Sequence, residues 1–414
     1  MATTSADRIL SLDIVRGIAV MAIFSVNIVG MAMIESAYFY PPDFGFDSVG
    51  DRVMWTLNSI FVDGRFRSLF SILFGASLTV VVERAAAAGK EGWQVHYPRM
   101  LVLLLFGTAH FYLLWWGDIL VNYALVGMIA YLFWQLRPGA LVVIAAFALI
   151  VFYAPTLVET QEQLAKVAAS RAPGASPELV AEVQEMLSAP DDFEKQIEED
   201  RANNASIAAH VRASTSMPAA MRPWNSVPGY GLETLGLMLL GMAAYKSGFL
   251  TGAWSRRGYV LVAVLCLAAD LIPHTYAAWL SLRSDFAPEV YFPWTRSYLN
   301  PLHAVGAFGY AALIILMFPI RSALADRFAA VGRTAFTNYL GATVIGTLLF
   351  NGSFGGLYAT LSRGEVWLFV PFVWALMLLW SKWWLDRYRY GPFEWAWRSL
   401  SRWEWQPMRR RAPA

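Results

Sequence analysis

The sequence predicts an all-α fold, a polytopic bundle of about ten membrane-spanning helices with both termini on the cytoplasmic side. Three observations predict it. The 414 residues are 57% hydrophobic and only 15% charged, whereas soluble domains are about 25% charged. Apolar runs close to the ~20 residues that cross ~30 Å of hydrocarbon recur along the chain. Basic residues also divide unevenly between the two sets of loops, as the positive-inside rule requires.

In order, the expected spans are residues 13–34, 66–83, 98–117, 119–136, 139–158, 230–249, 258–279, 300–319, 334–351 and 366–385. With the N-terminus inside, 20 of the 32 basic residues fall on the inner side, from Arg8 and Arg16 to the group between Lys382 and Arg411. The short outer loops hold six: Arg52, Arg65, Arg67, Arg283, Arg296 and Arg363. An even number of spans follows. The first apolar run starts near Ile14 and ends in Glu35 and Ser36 without a small-residue cleavage site, so it is expected to remain as the first span. The single cysteine, Cys266, excludes an intrachain disulfide. A net charge of +2 gives no reason to expect nucleic acid as a partner; the expected partner is the lipid bilayer. The sequence leaves the oligomeric state open, a homodimer included.

Four regions follow: residues 1–158 with the first five spans, 159–228 as a polar segment, 229–386 with the last five spans, and 387–414 as a tail. Residues 159–228 carry 11 acidic side chains against six basic ones. Helical periodicity in ELVAEVQEMLSA and FEKQIEEDRANNASIAAHVRAS predicts a helical excursion on the outer side. The tail, RYRYGPFEWAWRSLSRWEWQPMRRR, alternates Trp with Arg and is expected to lie as an interfacial helix on the anionic inner leaflet.

Ionisable groups inside spans are functional candidates because burying them in hydrocarbon is costly. Most gather toward the outer mouth. In LLLFGTAHFYLLWWGDIL, His110 has Asp118 two turns later, the pairing a general base needs. Metal binding is not expected, with five His, no His-x-x-x-His pair and no Cys cluster. Asp270 and His274 are four apart on one helix face. Glu233 and His303 enter their spans from the same side, and Asn122 lies nearby. DGRFRSLFSILFG sets Asp63, Arg65 and Arg67 against a buried run, so the two arginines are expected to face an outer cavity and hold a small-molecule or glycan substrate. A second polar layer is expected near the inner leaflet. Asp13 and Arg16 share a helix face, with Asn27 farther along the same span. Arg333 and Asn338 open the ninth span, where Gly332 and Arg333 mark a helix start suited to phosphate. Gly341 and Gly346 are expected to serve close helix packing.

The motifs LDIVRGIAVMAIFSVNI, FRSLFSILFGASL, LLLFGTAHFYLLWWGDILVNYALVG, YGLETLGLMLLGMAAYKSGF, VGRTAFTNYLGATVIGTLLF and RYRYGPFEWAWRSL follow one another in this order. The set resembles the YeiB family of bacterial inner-membrane proteins, whose defining domain is one of unknown function. The likeness covers nearly the whole chain and is weakest in 159–228. That family is distantly similar to transmembrane acyltransferases such as heparan-alpha-glucosaminide N-acetyltransferase, through a first span of the form (L/V)D-x-x-RG-(I/F)-A. Here this is Leu12, Asp13, Arg16, Gly17, Ile18 and Ala19. The resemblance implies an acyl group passing from cytoplasmic acyl-CoA to an envelope acceptor. The acetyltransferase's catalytic histidine follows this span, but residues 35–62 hold none. The O-acetylating branch has one where this chain has Asn27. His110 stands in as the candidate base.

Three functions compete at this level. In an acyltransferase, His110 is the base, Asp118 orients it, Arg65 and Arg67 hold the acceptor, and Arg16 and Arg333 meet the phosphates of acyl-CoA. A small-molecule exporter would use Asp270 and His274 as a proton-linked gate, although no inverted repeat is evident. A structural role would use the tail as an anchor. Stabilisation by CoA separates the first from the others, and proton-coupled uptake the second.

Overall fold

A computed structural model describes residues 5–188, 193–320 and 322–409. Arg321, Arg410 and Arg411, counted above on the inner side, lie outside the described residues. Among the described residues the fold is all-α, and the only β pairing is one isolated bridge between Tyr388 and Arg409.

The first half comprises α1 (Ser5–Ala32), the short α2 (Glu35–Phe39), α3 (Val49–Phe61), α4 (Arg65–Ala87), α5 (Gly92–Leu113), α6 (Leu120–Ala130) and α7 (Pro138–Ser170). The polar region holds α8 (Pro177–Leu187), α9 (Phe193–Asn204) and α10 (Ile207–Ser216). The second half runs through α11 (Ser226–Lys246), α12 (Arg256–Arg283), the short α13 (Pro288–Pro293), α14 (Asn300–Met317), α15 (Ala323–Arg333) and α16 (Ala335–Phe350). The short α17 (Arg363–Trp367), α18 (Phe369–Arg387) and α19 (Pro392–Arg402) complete it.

Each expected span falls on a helix. Seven stretches, carried by α1, α3–α4, α7, α11, α12, α14 and α17–α18, are long and apolar enough to cross a membrane. Helices α6 and α16 are apolar but shorter. A lipid bilayer is therefore the environment this surface requires. Local chemistry sets the boundaries. Ser48 and Asp51 form a capping box that starts α3. Gly64, at φ 74°, breaks α3 from α4 in a left-handed conformation that glycine adopts without strain. Serine caps start α8, α10, α12 and α15.

Helix α1 runs through the middle, packed on α4, α14, α15, α16 and α18. Of its most apolar window 72% is buried, against 17% for α7, so α1 is a core helix and α7 a lipid-facing one. Glycines let backbones meet at two crossings. A Cβ on Gly332 would stand 1.8 Å from the Asp13 carbonyl oxygen, and one on Gly17 would stand 2.0 Å from that of Phe328. Between α4 and α11, Gly75 faces the Met238 carbonyl at 1.9 Å and Gly241 that of Ile72 at 1.8 Å, measured the same way. Bilayer helices associate by such close packing because lipid supplies no hydrophobic drive. The Arg-Gly of the first span thus joins a polar side chain to the α1–α15 contact.

Helix α7 continues to Ser170, beyond the expected end at residue 158, and carries the polar region away from the bundle. That region folds back. Asp200 accepts the Glu35 N–H at 3.0 Å, Arg201 donates to the Ala359 carbonyl at 3.3 Å, and Ser353 accepts the Ile207 N–H at 3.0 Å. Since Ala359 also binds the carbonyl of Ala32, this region covers the bundle at the C-terminal end of α1.

Candidate functional site

At the opposite end, where α1 begins, the helices part around a cavity of about 1290 Å³. Asp13 and Arg16 line it from α1, Arg333 from the end of α15, and Tyr390, Glu394 and Trp397 from the C-terminal region. Eight cationic side chains (Arg16, Arg84, Arg99, Arg137, Lys246, Arg333, Arg389 and Arg398) face three carboxylates, Asp13, Glu83 and Glu394. Low-dielectric walls focus such an excess, so the cavity attracts anions. Arg16 is held in place by Asp13 at 3.1 Å and by Ser77 at 2.8 Å. Of the expected inner layer, Asp13, Arg16 and Arg333 meet here.

Tyr123 and Tyr339 line the same cavity and connect it to a buried polar column. The Tyr339 ring packs on His110, with ring centroids 5.3 Å apart. His110 Nδ1 lies 2.7 Å from Asp118 Oδ2, and its Nε2 lies 3.0 Å from Thr343 Oγ1. The Val121 N–H donates to the other carboxylate oxygen at 2.9 Å and fixes its orientation. In the tautomer whose Nδ1–H donates to Asp118, Nε2 is left to accept from the Thr343 hydroxyl, which also reaches the Tyr339 carbonyl at 3.4 Å. Carboxylate, imidazole and hydroxyl thus form the relay familiar from nucleophilic hydrolases. His110 is 2% exposed and Thr343 1%, so the relay is closed off behind Tyr339.

Tyr123 extends the column the other way. Its hydroxyl contacts that of Ser71 at 2.7 Å. One turn back, Arg67 binds Glu233 through two hydrogen bonds of 2.9 and 3.0 Å, and Tyr153 donates to the same carboxylate at 2.7 Å. The Arg67 side chain keeps 37% exposure. Tyr230 lies within electrostatic range of Arg67, Glu233 and Asp118 alike.

Other expected site residues lie elsewhere. Arg65 does not share the environment of Arg67. It is fully buried, its Nε donates to Asp270 Oδ2 at 2.7 Å, and the carbonyls of Ser59 and Asp63 take a second nitrogen. His274 and His303 join that buried group, so these four do not form an open outer mouth. Asp63 is exposed. Asn122 is fully buried and ties α6 to Ser226. Asn27 is half-buried and does not line the cavity. Asn338 is a structural junction: its two amide hydrogens are shared among Val331 O, Thr334 Oγ1 and Ser381 Oγ at 3.0–3.2 Å, and its Oδ1 accepts from the Trp380 indole. The start of the ninth span is also not free for phosphate. Helix α16 begins after Arg333, and Glu394 fills its first turn, accepting the Thr337 N–H at 3.0 Å and the Thr337 hydroxyl at 2.5 Å. Burial holds the Glu394 carboxyl above the usual range of a glutamate.

The tail is more than a surface anchor, since α19 packs on α5 and α16 and forms part of the cavity wall. The guanidinium of Arg99 lies 4.3 Å from the Trp397 ring centroid, and the Trp397 indole donates to the Arg99 carbonyl at 2.7 Å. Sequence reasoning missed Thr343, Tyr123, Tyr153 and Ser77. A hydroxyl in an apolar run gives no one-dimensional signal of what it meets. The Trp–Arg alternation was the available sign of the tail's wall, but it serves a lipid surface equally well.

A family model described as "Protein of unknown function (DUF418)" matches residues 244–404. The chain is 29% identical over 403 residues to "Uncharacterized protein YeiB" of Escherichia coli (strain K12), covering 95% of this chain and 96% of that protein. To "Uncharacterized protein YxaH" of Bacillus subtilis (strain 168) it is also 29% identical, over 98% of this chain and 97% of the relative. A 131-residue stretch is 34% identical to an uncharacterised 39.9 kDa protein of Bacillus acidopullulyticus, covering 35% of that protein. No solved structure matches the chain.

Proposed function

We propose, from the premise that this is a YeiB-like membrane protein with a DUF418 region, that it transfers acyl groups from an anionic thioester of the acyl-CoA class to a hydroxyl-bearing envelope acceptor. The supporting observation is that the basic cavity ends on Tyr339, and Tyr339 packs on the His110 of a carboxylate–imidazole–hydroxyl relay. At about 1290 Å³ the cavity exceeds the roughly 300–1,000 Å³ of ordinary small-molecule pockets, which favours a nucleotide-sized donor. Arg16, Arg84 and Arg333 hold the phosphates, and the thioester reaches Tyr339. The acceptor comes from the side of Arg67 and Glu233. His110, oriented by Asp118, takes the acceptor's proton through Thr343. The acceptor oxygen bonds to the carbonyl carbon, the carbon–sulfur bond breaks, and the thiolate leaves with that proton. The cavity then faces the cytoplasm of a bacterial cell and the polar region faces outward across the inner membrane.

Full-length protein in nanodiscs provides the test. Acetyl-CoA should raise the melting temperature, and Arg16→Gln with Arg333→Gln should cut affinity at least tenfold. His110→Asn should bind normally and lose turnover. Unchanged melting at saturating acetyl-CoA would remove the donor. Binding without turnover, together with movement of labelled ligand into vesicles, would replace the enzyme by a transporter.

A further inference from the structure

Besides Arg16 and Arg333, the cavity wall carries a second group of arginines, built where α19 lies against α5. Arg99 and Arg398 both line the cavity, each stacked on an aromatic ring of the same wall. The Arg99 guanidinium lies over Trp397, and that of Arg398 lies 4.8 Å from the Tyr390 ring centroid. The two are within electrostatic range of each other and of Arg402, and Arg398 is also within range of Arg84. Like charges gathered this closely repel one another. Among the described residues neither Arg99 nor Arg398 is ion-paired. Glu394, within range of Arg398, is committed to the Thr337 N–H and hydroxyl. Stacking fixes the direction of a guanidinium and leaves its edge donors free, so two planar forks present donors without an acceptor. This group is separate from the first. Asp13 is within range of Arg16, Arg333 and Arg84, and Arg84 is the arginine that the two groups share.

We propose that Arg99 and Arg398 form a second anion subsite, which takes a phosphate monoester held apart from the diphosphate of the same donor. The inference rests on the acyl-CoA reading and narrows it. Arg16, Arg84 and Arg333 take the diphosphate bridge, and the α5–α19 wall takes the phosphate on the ribose. A nucleotide that carries both groups spans the two subsites, whereas a carrier with a single phosphate reaches only one. Two guanidinium forks suit the dianion of a monoester, because each offers it parallel N–H donors. Both arginines face the cavity, which favours the phosphate of a soluble donor over that of a lipid headgroup. Binding here makes and breaks no covalent bond. Since α19 supplies Arg398 and Trp397, the C-terminal tail becomes part of the donor site.

The test compares acetyl-CoA with acetyl-dephospho-CoA, which lacks only that monoester, on full-length protein in phosphatidylcholine nanodiscs. Acetyl-CoA should bind at least about tenfold more tightly. Arg398→Gln should remove that preference by weakening acetyl-CoA alone, whereas Arg16→Gln should weaken both ligands alike. Should Arg398→Gln fail to fold, the comparison of the two ligands on the unaltered protein decides by itself. Equal affinities there overturn the subsite and leave the donor reading standing. No binding of either ligand overturns both. Equal affinities, with phosphatidic acid in the nanodisc raising the melting temperature of the unaltered protein and not that of Arg398→Gln, would assign the arginines to a lipid phosphate and overturn the proposal in its favour.

Discussion

Arg65 and Arg67 are two residues apart on one helix and face different demands. Arg65 is sealed against Asp270, with both side chains at 0% exposure, while Arg67 shares Glu233 with Tyr153 and stays 37% open. Removing one partner of a buried pair leaves an uncompensated charge at a cost of about 3–5 kcal/mol. Asp270→Asn should therefore lower unfolding stability by about that amount, read by chemical unfolding in detergent. Glu233→Gln should cost less, about 1.5–3 kcal/mol for its hydrogen bonds to a charged group, because water still reaches the freed Arg67. Equal losses at the two sites would contradict the contrast. At the relay, Thr343→Val removes the hydroxyl that His110 accepts and keeps the shape. It should reduce turnover with acetyl-CoA at least tenfold and leave donor affinity unchanged.

Among the elements, the α4–α11 and α1–α15 crossings depend on glycine. Gly75 and Gly241 each meet a facing carbonyl at under 2 Å when given a Cβ, whereas Gly341 meets nothing within 4 Å. The expectation of close packing thus fails at Gly341 and holds at Gly346, which meets Met31. Gly241→Ala should destabilise the protein by about 1–3 kcal/mol or abolish folding, because backbone cannot yield as a side chain can. Gly341→Ala should be neutral or slightly stabilising, since alanine is the better helix former by about 1 kcal/mol. The α16–α19 joint titrates. Burial raises the Glu394 carboxyl above 4.5, its ordinary value. The folded state then holds a proton that the unfolded state has lost, and stability falls as pH rises from about 4.5 through the raised value. Glu394→Gln should flatten that slope in pH-dependent melting. The helices themselves were legible in one dimension, because a run of apolar residues between charges has few other uses. The course of α19 was not, since an aromatic–basic face suits a lipid surface and a protein groove alike.

At the scale of the molecule, the cavity and the polar region lie at opposite ends of α1, a helix of 28 residues and so about 42 Å long. With Cys266→Ser as background, Lys195→Cys should react with a membrane-impermeant maleimide on intact cells, and Lys90→Cys only after permeabilisation. The reverse pattern would invert the orientation that the basic loops predict. A cationic cavity also predicts that acetyl-CoA affinity falls as ionic strength rises, because salt screens the arginines at its mouth.

The sequence by itself determined that this is a helical membrane protein, where its long apolar helices lie, and which polar side chains are too expensive to be incidental. Those are properties of composition and local periodicity, which transfer into lipid acts on directly. Only the tertiary structure decided which of those side chains meet. Arg65 finds Asp270 across 205 residues of chain, and His110 finds Thr343 across 233. Such pairings arise from the packing angles of whole helices, which no local pattern records.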